Sequence, residues 1–436
     1  MPRNVFVVAL DDFHLDLLRT IGDEREYRFL ELFELSEVVR PMNLGYPSLD
    51  GMVERARDML ERFPGTVDAV IGYWDFPSTV FLPLLWQQLE LPGPTLAAVA
   101  RCEHKYWSRI EQRAVVPDMV PGFQAINPFA EDPVSELELD YPFWIKPVKA
   151  HSSFLGFHID SQETLERRLQ RIREQIGCIG RPFNEFLAHV AMPEAIRTID
   201  GHYCIAEKIV SAGFQCTLEG YSWQGEVEIF GVVDSIRAGR YRSSFTRYQY
   251  PSKLPRAVQA RMAETARRVI RHFGYDGAAF NMEFYWNPKS DRISLLEINS
   301  RISKSHSPLF LMVDGATNQK VILDLALGRR PDFPHRRGGH KLAGKFMLRF
   351  FNDGILERVP TEEDMRELNR VYPEARVRLL APQGTRLSDL MLQDSYSYQV
   401  AEIFLGADRQ QELLNKYRHA CELLDFRVRP LDTEAA

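Results

Sequence analysis

Apolar residues along this chain recur with two different spacings, and the change from one to the other marks its organisation. Residues 4 to 10 (NVFVVAL) read as a buried strand, and Leu15, Leu17, Leu18 and Ile21 follow at helical spacing. A second such unit comprises the charged, helix-patterned stretch Met52 to Arg62, the apolar run VDAVIG at 67 to 72 and the apolar stretch Val80 to Leu89. Strands alternating with helices predict a parallel sheet with helices on its faces. The segment Pro117 to Pro147, rich in proline and acids, reads as a crossing between lobes and ends in the strand-like YPFWIKPV. Beyond it, strand-like runs at Tyr203 to Ala212, Val227 to Ile236, Gly277 to Trp286 and Arg292 to Arg301 lie closer together. That spacing predicts antiparallel sheet with interspersed helices, the clearest of them Pro255 to Phe273. A Pro, Arg and Gly cluster at Arg329 to Gly339 marks a linker. The remainder, with strands of its own and an amphipathic helix near Asp408 to Leu424, predicts a smaller C-terminal lobe.

Composition narrows the function classes. A chain of 436 residues exceeds what one hydrophobic core serves, and 45% apolar with 26% charged residues is the balance of a soluble globular enzyme. The formal net charge of -6 offers no broad attraction for nucleic acid or anionic lipid. Five scattered cysteines without a C-x-x-C pair suggest neither a disulfide framework nor a zinc site, and a reducing cytoplasm fits best. The N-terminus lacks the pattern of a signal peptide, and no apolar stretch approaches the roughly 20 residues of a membrane helix. His14, His104, His189, His272 and His340 stand without ligand spacing. GHKLAGK at 339 to 345 imitates a phosphate loop, but Phe346 replaces the required Ser or Thr and no strand is predicted before it. Trp74 and Asp75, just past VDAVIG, read as loop packing.

The most informative segment is AAFNMEFYWNPKSDRISLLEINSR, residues 278 to 301. Two β-rich runs flank the turn formers of NPKSD, which predicts a β-hairpin. Period-two alternation sets Leu295, Glu297, Asn299 and Arg301 on one face, with Glu283 opposite or diagonal to Glu297. Two ionised carboxylates side by side repel and lose hydration, so the pair calls for a cation. Oxygen ligands of this kind suit Mg²⁺ with positions open to nucleotide phosphates, and Arg301 is placed to donate to a phosphate oxygen. For an isolated hairpin the plainer alternative is a solvated polar face with Arg301 paired to a glutamate.

A late Glu, a short hairpin and then Glu-x-Asn-x-Arg resembles the magnesium signature of ATP-grasp enzymes of the carboxylate-amine ligase type, similar to L-amino-acid ligases and biotin carboxylases. The likeness extends over roughly residues 100 to 330. RCEHKYWSR at 101 to 109 resembles the helix whose lysine reaches the ATP phosphates, which makes Lys105 the match. YPFWIKPVKAHSSFLG resembles the strand carrying the second phosphate lysine, Lys146, and the loop over the triphosphate. With one glycine in that loop, Ser152 and Ser153 would make its contacts. CIAEKIVSAGFQCTLEG resembles the hinge, where Glu207 and the backbone of Lys208, Ile209 and Val210 would hold adenine. Gln215 would then contact ribose, and Glu219 would lie near the nucleotide.

The resemblance implies an α/β domain at 1–100, an α+β ATP-grasp domain at 101–330 with a lid lobe at about 117–205 and a central lobe at about 206–330, and a C-terminal α+β lobe at 331–436. It implies ATP with Mg²⁺ (or Mn²⁺), metal ligands Glu283, Glu297 and Asn299, and catalytic roles for Lys146 and Arg301. The partners implied are a small carboxylate and an amine joined through an acylphosphate, with no nucleic acid or membrane and a homodimer as the assembly. Where peptide-forming relatives have a glycine pair, this chain has ISKSHSP, so Lys304 and His306 are candidates for the acyl or amine site, and the tyrosines of RYQYPSKLP are candidates to face substrate. A bicarbonate-activating enzyme resembling biotin carboxylase and a non-catalytic ATP-binding subunit are the alternatives.

Overall fold

The computed structural model describes residues 1–40, 44–135, 137–151, 154–210, 213–238, 244–390 and 397–431. Ser152 and Ser153 lie outside them. No helix among the described residues is long and apolar enough to cross a membrane. The chain divides into two compact units interleaved in sequence. One comprises 1–230, 255–304 and 319–332, and the other comprises 231–254, 305–318 and 333–436.

The first unit opens with β1 (Arg3–Val8), β2 (Tyr27–Leu32) and β3 (Ala69–Ile71), a parallel sheet in the order β2-β1-β3. The alternation of strands and helices foretold it, although β2 itself, with only its last residue fully buried, carries too weak an apolar run to read from sequence. Beyond β3, the helices Ser78–Gln88, Leu96–Glu103 and Lys105–Val115 follow in close succession.

Next come β4 (Phe123–Ile126), β5 (Phe143–Pro147), β6 (Phe157–Ile159) and β7 (Cys204–Lys208), an antiparallel sheet in the order β4-β7-β5-β6. The helix Gln162–Gln175 starts at Ser161, whose hydroxyl accepts from the Thr164 amide. Its Leu165, Leu169 and Ile172, spaced four and three apart, share one face and bury into a core with Phe143, Ile145, Ile159, Cys204 and Ala206. Each such side chain contributes about 1.5–3 kcal/mol.

The chain continues through β8 (Phe214–Trp223) and β9 (Glu226–Ala238), within which it passes to the second unit, and then β10 (Ser244–Tyr250). After the helix Arg256–Phe273, closed by Gly274 at φ +63°, β11 (Ala278–Asn287) and β12 (Arg292–Asn299) form the hairpin, with β8 on the other side of β11. In the second unit β13 (Leu342–Phe350), β14 (Gly354–Arg358), β15 (Arg376–Leu379), β16 (Tyr398–Ala407) and β17 (Arg427–Pro430) complete the set. The order there is β9-β10-β13-β16-β15, with β14 paired to β17. The imitation phosphate loop runs into β13, where Lys345 is 3% exposed and ion-paired to Glu402 at 2.6 Å. A strand offers no cradle of amides to a phosphate.

Candidate active site

The acidic hairpin forms for local reasons. Asp291 sits at φ +52°, a conformation that a short polar side chain tolerates, and its carboxylate accepts from Trp286 Nε1 at 2.8 Å and Arg261 at 2.7 Å. The resulting register places Glu283 directly opposite Glu297 and Asn281 opposite Asn299. In β8, Thr217 is the partner of Glu283 and Glu219 the partner of Asn281. Because cross-strand partners share a face, two polar rows cross the three strands: Thr217, Glu283 and Glu297 in one, and Glu219, Asn281 and Asn299 in the other. The opposite face carries Cys216, Leu218, Met282, Phe284, Leu295 and Ile298, all buried.

Leu295 was expected beside Glu297 and is on the other face. The register shifts between Glu283 and Phe284, so that Leu295 rather than Leu296 opposes Phe284. The extra residue is a β-bulge, which breaks simple alternation and turns Leu295 into the core.

Hydrogen bonds orient the polar rows. Gln215 donates from Nε2 to Glu283 at 2.8 Å and accepts at Oε1 from the Tyr285 hydroxyl at 2.9 Å. Asn299 Nδ2 donates to Asn281 Oδ1 at 2.9 Å, while Asn281 Nδ2 donates to the Arg301 carbonyl. These bonds give the Asn299 amide a defined orientation.

Lys105 enters from the start of the helix Lys105–Val115. Its Nζ is 2.9 Å from Glu297 Oε1 and donates to the Ala150 carbonyl at 2.7 Å. Lys146, on β5, pairs with Glu207 on β7 at 2.7 Å. Arg109, one turn beyond Lys105, donates to Glu207 at 2.6 Å and to the carbonyls of Leu295 and Leu296 at 2.8 and 2.7 Å. One guanidinium therefore joins the bulge beside Glu297 to the carboxylate that holds Lys146. Burial would raise the Glu207 carboxyl, but Arg109 and Lys146 outweigh it and hold it at about 2.

At the hinge, the Glu207 carboxylate is thus committed to two cations. The Lys208 amide donates to the Gly122 carbonyl at 2.9 Å, which removes that N–H from the set offered to adenine. Ile209 and Val210 lie past the end of β7, with Ile209 exposed. Glu219 is fully buried and accepts from the Ser303 amide at 3.1 Å.

A second ionic cluster surrounds Arg301, which donates to Asp75 at 2.5 Å. Lys149 lies 3.8 Å from Asp75 and pairs with Glu103. Glu103 also accepts from the hydroxyls of Ser300 at 2.6 Å and Thr79 at 3.0 Å. Burial works against ionisation of Asp75, but Arg301, His151 and Lys149 hold its carboxyl well below the usual range. Lys304 Nζ lies 4.2 Å from the centre of the Trp74 ring.

Trp74 and Asp75 are therefore more than loop packing. They stand past the carboxyl end of β3, where open parallel sheets commonly present ligand-binding groups. Sequence reasoning also passed over Arg109, Glu103 and Lys149. The available signal was charge inside apolar segments: all three are at most 5% exposed. His306 is in the second unit, buried edge-on against Tyr248 with ring centres 5.0 Å apart, and Tyr250 packs on Phe310.

Among the described residues no three His, Cys, Asp or Glu side chains gather as a metal site. The hairpin instead offers two carboxylates from opposed positions and a neighbouring amide. That all-oxygen set fits Mg²⁺ with coordination positions left for phosphate oxygens.

Comparison with known proteins agrees with this architecture. The family described as carbamoyl-phosphate synthase L chain, ATP binding domain, matches residues 249–331, a stretch that contains the whole hairpin. Urea amidolyase of Saccharomyces cerevisiae is 24% identical over 225 residues, which are 52% of this chain and 11% of that protein. This chain therefore spans about a tenth of the length of that curated relative. The L-amino acid ligase of Bacillus licheniformis superposes with a TM-score of 0.73 at 16% identity, over 98% of this chain and 99% of that one. A biotin carboxylase from Campylobacter jejuni, in a β-γ-ATP complex, gives 0.63 at 15% identity over 97% and 92%. The chain therefore has the ATP-grasp fold of these structures, and its residues 249–331 are similar to the ATP-binding domain of that family.

Proposed function

We propose that this protein joins a small-molecule carboxylate to an amine with ATP as the energy source, releasing ADP and phosphate. The observation that carries the reading is the opposed pair Glu283 and Glu297 with Lys105 2.9 Å from the latter. Joining a carboxylate to an amine in water is uphill, and transfer of the γ-phosphoryl group to the carboxylate makes an acylphosphate with a good leaving group. Such transfer depends on positioning and charge neutralisation.

In this reading Glu283, Glu297 and Asn299 hold Mg²⁺, which supplies neutralising charge at the phosphates. Lys105 and Lys146 bind phosphate oxygens, and Arg301 donates to charge developing on the transferred group. Adenine lies against the hinge at Ile209 and Val210, with the Lys208 carbonyl as acceptor, and Gln215 near ribose. Lys304 is assigned to the acyl or amine substrate. The modular division follows the same reading, with 1–100 before the ATP-grasp domain at 101–330 and a C-terminal lobe at 331–436.

The test is phosphate release screened over paired carboxylates and amines, with mass spectrometry of the product. ADP formation that needs both partners is the expected result. Dependence on bicarbonate and biotin would replace this reading with a carboxylase, and nucleotide binding without turnover in any mixture would replace it with a binding subunit.

A further inference from the structure

The first unit contains a cavity beside Arg301 that the phosphate chemistry does not use. Its walls are Leu82, Pro83 and Trp86 of the helix Ser78–Gln88, with Ile322 and Leu325 of the helix Gln319–Ala326 facing the same space. Trp74 also lines it. Small residues keep it open at the base of β11, where Gly277, at φ +69°, precedes Ala278 and Ala279. The free volume is about 50 Å³. That is several times the roughly 10–15 Å³ that a cavity needs to admit one water, enough to admit a short branched aliphatic group.

One end of the cavity is polar. Thr79 and Ser300 line it, but their hydroxyls already donate to Glu103. Two other residues that line the same space carry further donors. Ser78 is 1% exposed and its Oγ has no hydrogen-bond partner among the described residues. Arg301 Nε likewise has none, although the same guanidinium is bonded to Asp75 through its terminal nitrogen. A buried hydroxyl and a buried guanidinium N–H without partners are costly unless something else satisfies them. An apolar chamber whose lining residues carry two such donors has the chemistry of a site for an aliphatic group that carries a carboxylate.

We infer that this cavity is the subsite for the carboxylate substrate, and that the substrate bears a short branched aliphatic chain. The chain lies between Trp86 and Leu325, and a carboxylate oxygen accepts from Arg301 Nε and the Ser78 hydroxyl. The inference rests on the ligase reading for its purpose, but its geometry can be tested by binding alone.

The experiment is isothermal titration calorimetry of the full chain, saturated with Mg²⁺ and a non-hydrolysable ATP analogue, with 4-methylpentanoate and with acetate as probes. The expected result is at least tenfold tighter binding of 4-methylpentanoate. Ala326→Phe, which fills the cavity from the end of its helix, should remove that preference while leaving analogue binding unchanged. Ile322→Phe provides a second filling variant if circular dichroism shows the first to be misfolded. Equal affinity for the two acids, or a preference that survives filling, would overturn the inference. The two readings fail separately. Tight 4-methylpentanoate binding without phosphate release from any carboxylate and amine pair would remove the ligase and leave the cavity assignment. Turnover that proceeds as well with acetate as with 4-methylpentanoate would do the reverse.

Discussion

Lys105 and Glu297 stand 2.9 Å apart, a lysine from the first turn of a helix against a carboxylate from the hairpin strand. The pair links the phosphate-binding role assigned to the lysine with the metal-binding role assigned to the glutamate. It also shows that the two groups occupy one site. Glu297→Gln removes one metal-binding charge with little change of shape, and is expected to abolish ADP formation while circular dichroism stays unchanged. Lys105→Met is expected to lower turnover by about 10²–10³, the range for loss of one preorganised donor. Turnover near that of the unaltered protein in either variant would contradict the site.

Arg109 is expected to matter for folding as much as for activity. It is 3% exposed and bridges Glu207 to the two bulge carbonyls. Arg109→Met leaves a buried carboxylate with one cation fewer and two carbonyls without their donor, a loss of about 3–5 kcal/mol. Arg109→Lys keeps the charge but not the forked geometry and should recover only part of that. Urea midpoints of the three proteins check this order, and a midpoint for Arg109→Met equal to the parent's would contradict it.

His104 makes stability depend on acidity. It is fully buried; Nδ1 accepts from the Trp107 amide at 3.2 Å and Nε2 lies 2.7 Å from the Ile199 carbonyl. The neutral imidazole protonated at Nε2 serves both contacts, and burial pushes its pKa down to about 4 from 6.5. The folded protein thus binds this proton less readily than the unfolded chain. The contribution, on the order of 3 kcal/mol, is fully present above about pH 6.5 and is lost as pH falls toward about 4. Denaturation at pH 7.5 and pH 5 should show a smaller difference in His104→Asn than in the parent. Equal differences would contradict the assignment.

Asp75 is a positioning residue for Arg301. Asp75→Asn retains the shape but weakens the charge-assisted bond, and we expect kcat to fall about tenfold or more with little change in KM for ATP. Asp75→Glu should restore part of kcat. Equal loss in both parameters, or rescue by neither variant, would contradict a positioning role.

Much of this site was legible because hairpin chemistry is local. NPKSD fixes the turn, and period-two spacing set Glu283 opposite or diagonal to Glu297, while the direct opposition comes from the bulge between Glu283 and Phe284. Alternation failed at Leu295, since a bulge depends on what holds the strand, here the donors of Arg109 to the Leu295 and Leu296 carbonyls. The strand β8 was not read from the apolar pattern because its burial is continuous from Gln215 to Ser222, and its Gln215 and Glu219 were named only through the resemblance. Long-range pairs were beyond reach of spacing. Asp75 and Arg301 are 226 residues apart, and no periodicity relates the end of β3 to the residue two positions after Asn299.

The central claim is that a substrate carboxylate receives the γ-phosphoryl group at the Glu283 and Glu297 site. The most direct measurement uses carboxylates labelled with ¹⁸O, paired with amines in unlabelled water, followed by mass spectrometry of the released phosphate. One labelled oxygen per phosphate is expected, because the bond broken by the amine lies between the acyl carbon and an oxygen that came from the carboxylate. Released phosphate that carries no label in any productive pair would contradict it.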